Sequence, residues 1–330
     1  MPNKHETLTS LFTDIAGAIR SKTGDTASIK ADDFGTAIQN IPTGGSGEFT
    51  TNQLLGVDPI DSLSYDETTI PYYALYRKTI NNLSLPNLTI ISNNSLAYAN
   101  ISSDLNTLFS KVEKIEQSGL QNFNENITLT SDYNVVFPKL TDVQYSSFQY
   151  FGGVNNADYQ YSNYNNPKYN IILPLITTSL LYFPGYNAHK VRNISARNLM
   201  GEKNICYMGY SLGTLDIKGW TTAPTSSSYS NCLVFCGYNL RTLVIRNSTM
   251  CPASSNPTYM WSSGSYQAYF MTGTVNSDYN PNGEHGVIYV PDNLVDTYKN
   301  DANWQACFDV NYIKPLSEYV DPYESYYQGV

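Results

Sequence analysis

Hydrolysis of a glycan needs two carboxyl groups about 5–10 Å apart with separated pKa values, one to donate a proton and one to attack or to activate water. The candidates in this chain are Glu113 and Glu116 within KVEKIEQ, and Asp278, Glu284 and Asp292 near the end. A spacing of three makes Glu113 and Glu116 near neighbours if that stretch is helical. The phrase mixes charges, so a solvated helix or loop surface is expected there rather than a buried acid pair. The three histidines, His5, His189 and His285, show no His-x-x-x-His or carboxylate spacing. His285 falls in a turn phrase, Asn282-Gly283-Glu284-His285-Gly286, which reads as a surface loop.

Five cysteines, Cys206, Cys232, Cys236, Cys251 and Cys307, are odd in number and scattered, so they make no disulfide framework. Cys232 and Cys236 would share a strand face, but no second pair completes a zinc site, and small buried residues are the plainer expectation. Thr43-Gly44-Gly45-Ser46-Gly47 lacks the Lys-Ser/Thr of a phosphate loop and reads as a linker. The expectation is therefore a protein that is not an enzyme, with no metal and no cofactor.

The positive signal is aromatic. The chain carries 29 Tyr, and only 14% of its residues are charged, so its polarity comes from Tyr, Asn, Ser and Thr. Tyr159, Tyr161, Tyr164 and Tyr169 alternate with Asn and Ser in one insert (155–170). Trp261, Tyr266, Tyr269 and Phe270 cluster in another (252–270). Exposed rings beside amides suit stacking on sugar faces with hydrogen bonds to hydroxyls. The alternative is that these rings pack a flank or a subunit interface. A net charge of −9 without a basic run argues against nucleic acid and anionic membranes. No stretch approaches the ~20 apolar residues of a membrane span, so no membrane insertion is expected. The opening MPNKHETLTS has no apolar leader core, which predicts a route other than Sec export.

Several elements must position these residues. Leu8, Leu11, Phe12, Ile15 and Ile19 form one helical stripe. Phe34 and Ile38 lie on the apolar face of a second short helix that Pro42 stops. Two helices this short are marginal alone, so those seven residues are expected to dock on a neighbour or on copies of the same chain. The expected division is a helical attachment unit at 1–42, a linker at 43–48, a body at 49–285, and a cap and tail at 286–330. In the body, Leu85-Pro86-Asn87-Leu88 is echoed by Phe137-Pro138-Lys139-Leu140 and Leu173-Pro174-Leu175. Thr214-Leu215-Asp216-Ile217 is echoed by Thr242-Leu243-Val244-Ile245. Such echoes predict stacked units, each burying its apolar side against the next. Val287–Val290 reads as a closing strand, Pro291 and Asp292 as a helix start, and DPYESYYQGV as a loose tail.

LSLPNLTIISNNSLAY and VVFPKLTDVQYSSFQYFG resemble the BspA-type leucine-rich repeat, and the closing GVIYVPDNLVDTYKNDANWQACFDVNYIKPLSEY is similar to the cap of such proteins. LFTDIAGAIRSKTG…IKADDFGTAI resembles a unit that opens structural proteins of phages and prophages of low-GC Gram-positive bacteria, mostly tail, baseplate or fibre components. The resemblances imply an α+β, mainly β chain. It would comprise an N-terminal short helical hairpin, an irregular leucine-rich-repeat-like solenoid and a strand–helix C-terminal cap. They imply a virion structural protein, located in the particle, that meets other virion proteins through the N-terminal unit. It would self-associate, most simply as a trimer, and be displayed towards a host surface glycan or protein receptor. A BspA-like bacterial surface adhesin and a polysaccharide-cleaving tail enzyme are the alternatives.

Overall fold

The computed structural model describes residues 57–153, 160–177, 189–201, 211–224, 237–263 and 266–328, with Ala16, Lys30, Thr50, Asn52 and Gln53 besides. The attachment residues Leu8, Leu11, Phe12, Ile15, Ile19, Phe34 and Ile38 lie outside this set, as do Cys206, Cys232 and Cys236.

In chain order the elements begin with β1 (Ile60–Ser64), β2 (Thr69–Ile70), β3 (Thr79–Ser84), β4 (Ile90–Ile91) and β5 (Asn100–Ile101). There follow α1 (Leu105–Leu108), β6 (Lys114–Ile115), β7 (Tyr133–Val136), β8 (Asp142–Val143) and β9 (Tyr169–Ile172). Next come β10 (Val191–Gly201), β11 (Thr214–Trp220), β12 (Thr242–Ile245), α2 (Pro257–Trp261), β13 (Ser262–Ser263), β14 (Tyr266–Gln267) and α3 (Tyr269–Thr272). The chain closes with β15 (Val287–Val290), α4 (Val295–Asn300), α5 (Ala302–Cys307) and β16 (Ile313–Pro315).

Helices are few and the large sheets are parallel. One sheet runs β1-β3-β5, a second β2-β4-β6-β8, and a third β16-β15-β12-β11-β10-β9-β7. In each, neighbours follow chain order and pair in parallel, so every crossover leads on to the adjacent position. Apolar residues stack in register through the third sheet: Val135, Ile171, Ile194, Leu215, Leu243, Ile288 and Ile313 are consecutive partners, all buried. Ile70, Ile91, Ile115 and Val143 do the same in the second. The side-chain period of two aims each file inward, and burying it is the main term that holds the strands together. The repeated phrase Thr214–Ile217 and Thr242–Ile245 is itself the register of β11 on β12.

A fourth ladder consists of turns. The amides of Leu75, Leu96 and Leu120 donate to the carbonyls of Ser95, Gly119 and Ser147, at 2.9, 3.1 and 3.0 Å. Those of Arg77, Tyr98 and Asn122 donate to Ala97, Gln121 and Gln149, at 3.0, 2.8 and 2.9 Å. Each turn holds two left-handed residues four apart: Tyr73 and Arg77, Asn94 and Tyr98, Ser118 and Asn122, Ser146 and Tyr150. Such values are uncommon outside glycine and costly for bulky side chains, so the stacked hydrogen bonds are what hold them.

Side chains bridge the first and third sheets. The Asn124 amide accepts from the Ile101 N–H at 2.7 Å and donates to the Ile101 carbonyl at 3.3 Å, acting as one more rung. Asn106 in α1 donates to the Asn134 carbonyl at 2.9 Å and accepts from the Val136 N–H at 2.8 Å.

Of the helix or loop surface expected around Glu113 and Glu116, the loop is what is found: the two flank the strand β6, and Glu116 pairs with Lys114 at 3.3 Å. One expectation is corrected. The tail is not loose through Gln328. Tyr323 is buried, and its phenol accepts from Asn193 at 2.9 Å, while the Tyr327 phenol lies 2.8 Å from Ser195 Oγ. The outward face of the third sheet carries an amide row, Asn170 donating to Asn134 and Asn193 to Asn170, each at 2.8 Å. Such a face is satisfied by a covering segment that brings its own hydroxyls.

Candidate recognition surface

The turns that precede β3 and β5 carry aromatic rings into solvent. Tyr72 and Tyr73 are exposed at 62% and 44%, and Tyr76 and Tyr98 are half-buried. Their rings touch in series: Tyr72 to Tyr73 at 4.3 Å, Tyr73 to Tyr76 at 4.8 Å and Tyr76 to Tyr98 at 5.5 Å, all edge to face. That geometry matches the ring quadrupoles. Burial, and after it Tyr76, raise the pKa of the Tyr98 phenol, so it stays neutral and able to donate a hydrogen bond at pH 7. Tyr150, two turns further along, lies 6.1 Å from the His189 ring.

The row continues past the starts of the later strands. The Lys190 ammonium donates to the Glu125 carbonyl at 3.1 Å. Arg192 pairs with Asp132 at 2.9 Å and donates to the carbonyls of Tyr164 and Asn166 at 3.0 and 2.8 Å. Arg241 lies between two rings, 4.2 Å from the Tyr164 centroid and 4.1 Å from that of Phe270. One ring comes from each of the two Tyr-rich inserts, so a single guanidinium ties the inserts together. Gly213 permits this closure, because a Cβ there would collide with the Tyr164 hydroxyl. Beyond it, Tyr279 stacks on Tyr238 at 4.2 Å and on Tyr269 at 5.3 Å. Burial, and then Asp278, raise the Tyr269 phenol pKa.

Of the aromatic residues that the sequence singles out, Tyr164 and Tyr269 lie on this row, both half-buried. Tyr169 and Trp261 do not face a ligand and are corrected to core residues, at 1% and 0% exposure. Tyr169 packs edge-on to Phe151 at 5.2 Å, and the Trp261 indole donates to the Cys307 carbonyl at 2.7 Å. Tyr159 lies outside the described residues, as do the side chains of Tyr161 and Tyr266. Tyr72, Tyr73, Tyr76, Tyr98 and Tyr150 are not among the residues that the sequence singles out. The signal was present in PYYALYR, NNSLAYA and YSSFQYF, where the stacked turns align residue for residue.

The carboxylates serve structure in this geometry. Asp292 accepts from the Ser317 N–H at 3.0 Å, and Glu284 reaches Arg241 at 3.5 Å. Asp216 is buried and Asp321 half-buried, and both are held by arginines. Arg246 binds Asp216 through two bonds of 2.6 and 2.8 Å and Asp321 through one of 2.6 Å, and Arg197 also pairs with Asp321 and, at 2.8 Å, with Glu324. Burial pushes the Asp216 carboxyl up to about 6, with the Arg246 guanidinium pulling it down. Bidentate pairing occupies the oxygens that general acid–base work would need. Cys251 and Cys307 are buried free thiols. Among the described residues no group of three His, Cys, Asp or Glu is placed to hold a metal ion, and no helix is long and apolar enough to cross a membrane.

No protein-family model matches this sequence, and no curated protein matches it.

Proposed function

We propose that this chain is a peripheral structural component of a phage virion, of tail-fibre or baseplate type, which presents its tyrosine row to a host surface glycan. The observation that carries the recognition half is the run of touching rings from Tyr72 to Tyr98, set on turns whose backbone is fixed by stacked hydrogen bonds. Rigid rings lose little entropy on binding, and their faces suit the C–H faces of sugars. In this reading the three sheets and the stacked turns are the faces of a leucine-rich-repeat-like solenoid, a scaffold that presents an extended surface. The virion half rests on residues 8–41 and their likeness to phage structural openings. The stripe of Leu8, Leu11, Phe12, Ile15 and Ile19, with Phe34 and Ile38, would meet other virion proteins and further copies of the chain, most simply in a trimer.

The test is binding of the full-length chain to intact Gram-positive cells and to a panel of immobilised cell-surface polysaccharides. Binding to at least one is expected, with a loss of about tenfold or more in the double variant Tyr76→Ser/Tyr98→Asn. Asn is chosen because it tolerates the left-handed backbone at position 98. Binding that the double variant leaves intact would remove the row from the account.

A further inference from the structure

Within the row, one charged side chain is, among the described residues, held by rings and by no ion pair. Arg77 is exposed, and its guanidinium carbon lies 5.2 Å from the centroids of both the Tyr76 and Tyr98 rings. Among the described residues it forms no ion pair, and its guanidinium donates no hydrogen bond. Glu125 feels both Arg77 and Lys190 but lies beyond pairing distance of Arg77. An exposed arginine ordinarily samples many rotamers. Here two rings hold it, and its planar fork of N–H donors is left open. This fixed cation sits in a chain of net charge −9, among the faces best suited to stack on sugars.

The fork matches two coplanar oxygens, as a carboxylate offers them. A pyranose with a carboxylate directly on its ring could lay its C–H face on a tyrosine while the carboxylate meets the arginine. A phosphodiester-linked polyol presents two oxygens but no flat face to stack. We propose that Arg77, with Tyr73, Tyr76 and Tyr98, forms a subsite for a uronic acid residue of an anionic polysaccharide. This deepens the recognition reading and rests on it.

The experiment measures binding of the full-length chain to three immobilised probes: oligogalacturonate, poly(glycerol phosphate) and the neutral maltoheptaose. Arg77→Asn removes the charge and suits the left-handed backbone there, so its melting temperature is expected to equal or exceed that of the parent. Arg77→Lys keeps the charge without the fork. Lys139→Gln removes an exposed cation elsewhere. The parent is expected to bind oligogalacturonate at least about tenfold more tightly than maltoheptaose, with an affinity that falls as salt rises. Arg77→Asn should abolish both the preference and the salt dependence, Arg77→Lys should keep only part of the preference, and Lys139→Gln should leave both intact. Tighter binding of poly(glycerol phosphate), or an unchanged preference in Arg77→Asn, overturns the uronate subsite. If maltoheptaose binds as tightly as oligogalacturonate and only Tyr76→Ser weakens it, the subsite fails and the recognition reading stands. If no probe and no cell surface binds, both fail.

Discussion

Asp216 shows how much a single side chain is asked to carry. Its carboxylate is fully buried, and burial raises its pKa to about 6 from a usual 3.8. Between those two values the folded chain holds a proton that the unfolded chain has released, so this group adds stability as pH falls through the window and loses it as pH rises. Arg246 is the stronger of its two partners. In Arg246→Met the carboxylate would face only Arg197, at 3.6 Å. Removing one partner of a buried pair costs roughly 3–5 kcal/mol, and the upper edge of the titration window moves above 6. The expected outcome in thermal melts is a large deficit at pH 8 that narrows as pH falls to 5, because the orphaned acid is then neutral in the fold. A deficit that stays constant or widens on acidification would show that Asp216 is not the group left exposed. The sequence exposes none of this network, since Arg197, Asp216, Arg246 and Asp321 are far apart in the chain and share no motif.

At the scale of elements, the apolar alternation was readable and the corners were not. Leu215/Ile217 and Leu243/Ile245 mark the register of β11 on β12 because a half-buried strand repeats every two residues. The Leu-Pro and Phe-Pro phrases mark inward positions, with Leu85, Phe137 and Leu173 all buried. The stacked turns escape pattern reading because their left-handed positions hold Tyr, Arg, Ser and Asn where glycine would be the signal. Asn124 escapes it too, because its amide replaces a strand. Asn124→Ala would strip partners from the buried N–H and carbonyl of Ile101 and leave alanine in a left-handed conformation, for a loss of about 3 kcal/mol or more. Asn124→Asp keeps an acceptor for the Ile101 N–H but sets a buried carboxylate against the Ile101 carbonyl, so its loss is expected to match or exceed that of alanine at neutral pH and to shrink on acidification, where the protonated acid can donate. Chemical denaturation of both variants checks the order. Equal, small losses would mean that the rung is dispensable.

Taken whole, the molecule is a set of parallel ladders whose polar face is closed by its own C-terminal segment and whose strand-start edge is lined with rings. Composition points to tyrosine but does not sort faces, so Tyr169 and Trp261 look like ring contacts in the sequence although both fill the core. Tyr and Trp serve burial and recognition equally well, and only register separates the two uses. In that register Tyr72, Tyr73, Tyr76 and Tyr98 fall on one edge, with Arg77 held between two of them. Hydroxyl-radical footprinting of the full-length chain, with and without a bound cell-surface polysaccharide, locates the contact directly. Protection is expected at Tyr72, Tyr73, Tyr76 and Tyr98, with Val320, exposed in the C-terminal segment, unchanged. Protection confined to Val320, with the four tyrosines as reactive as in the free protein, would contradict the assignment of this edge as the recognition surface.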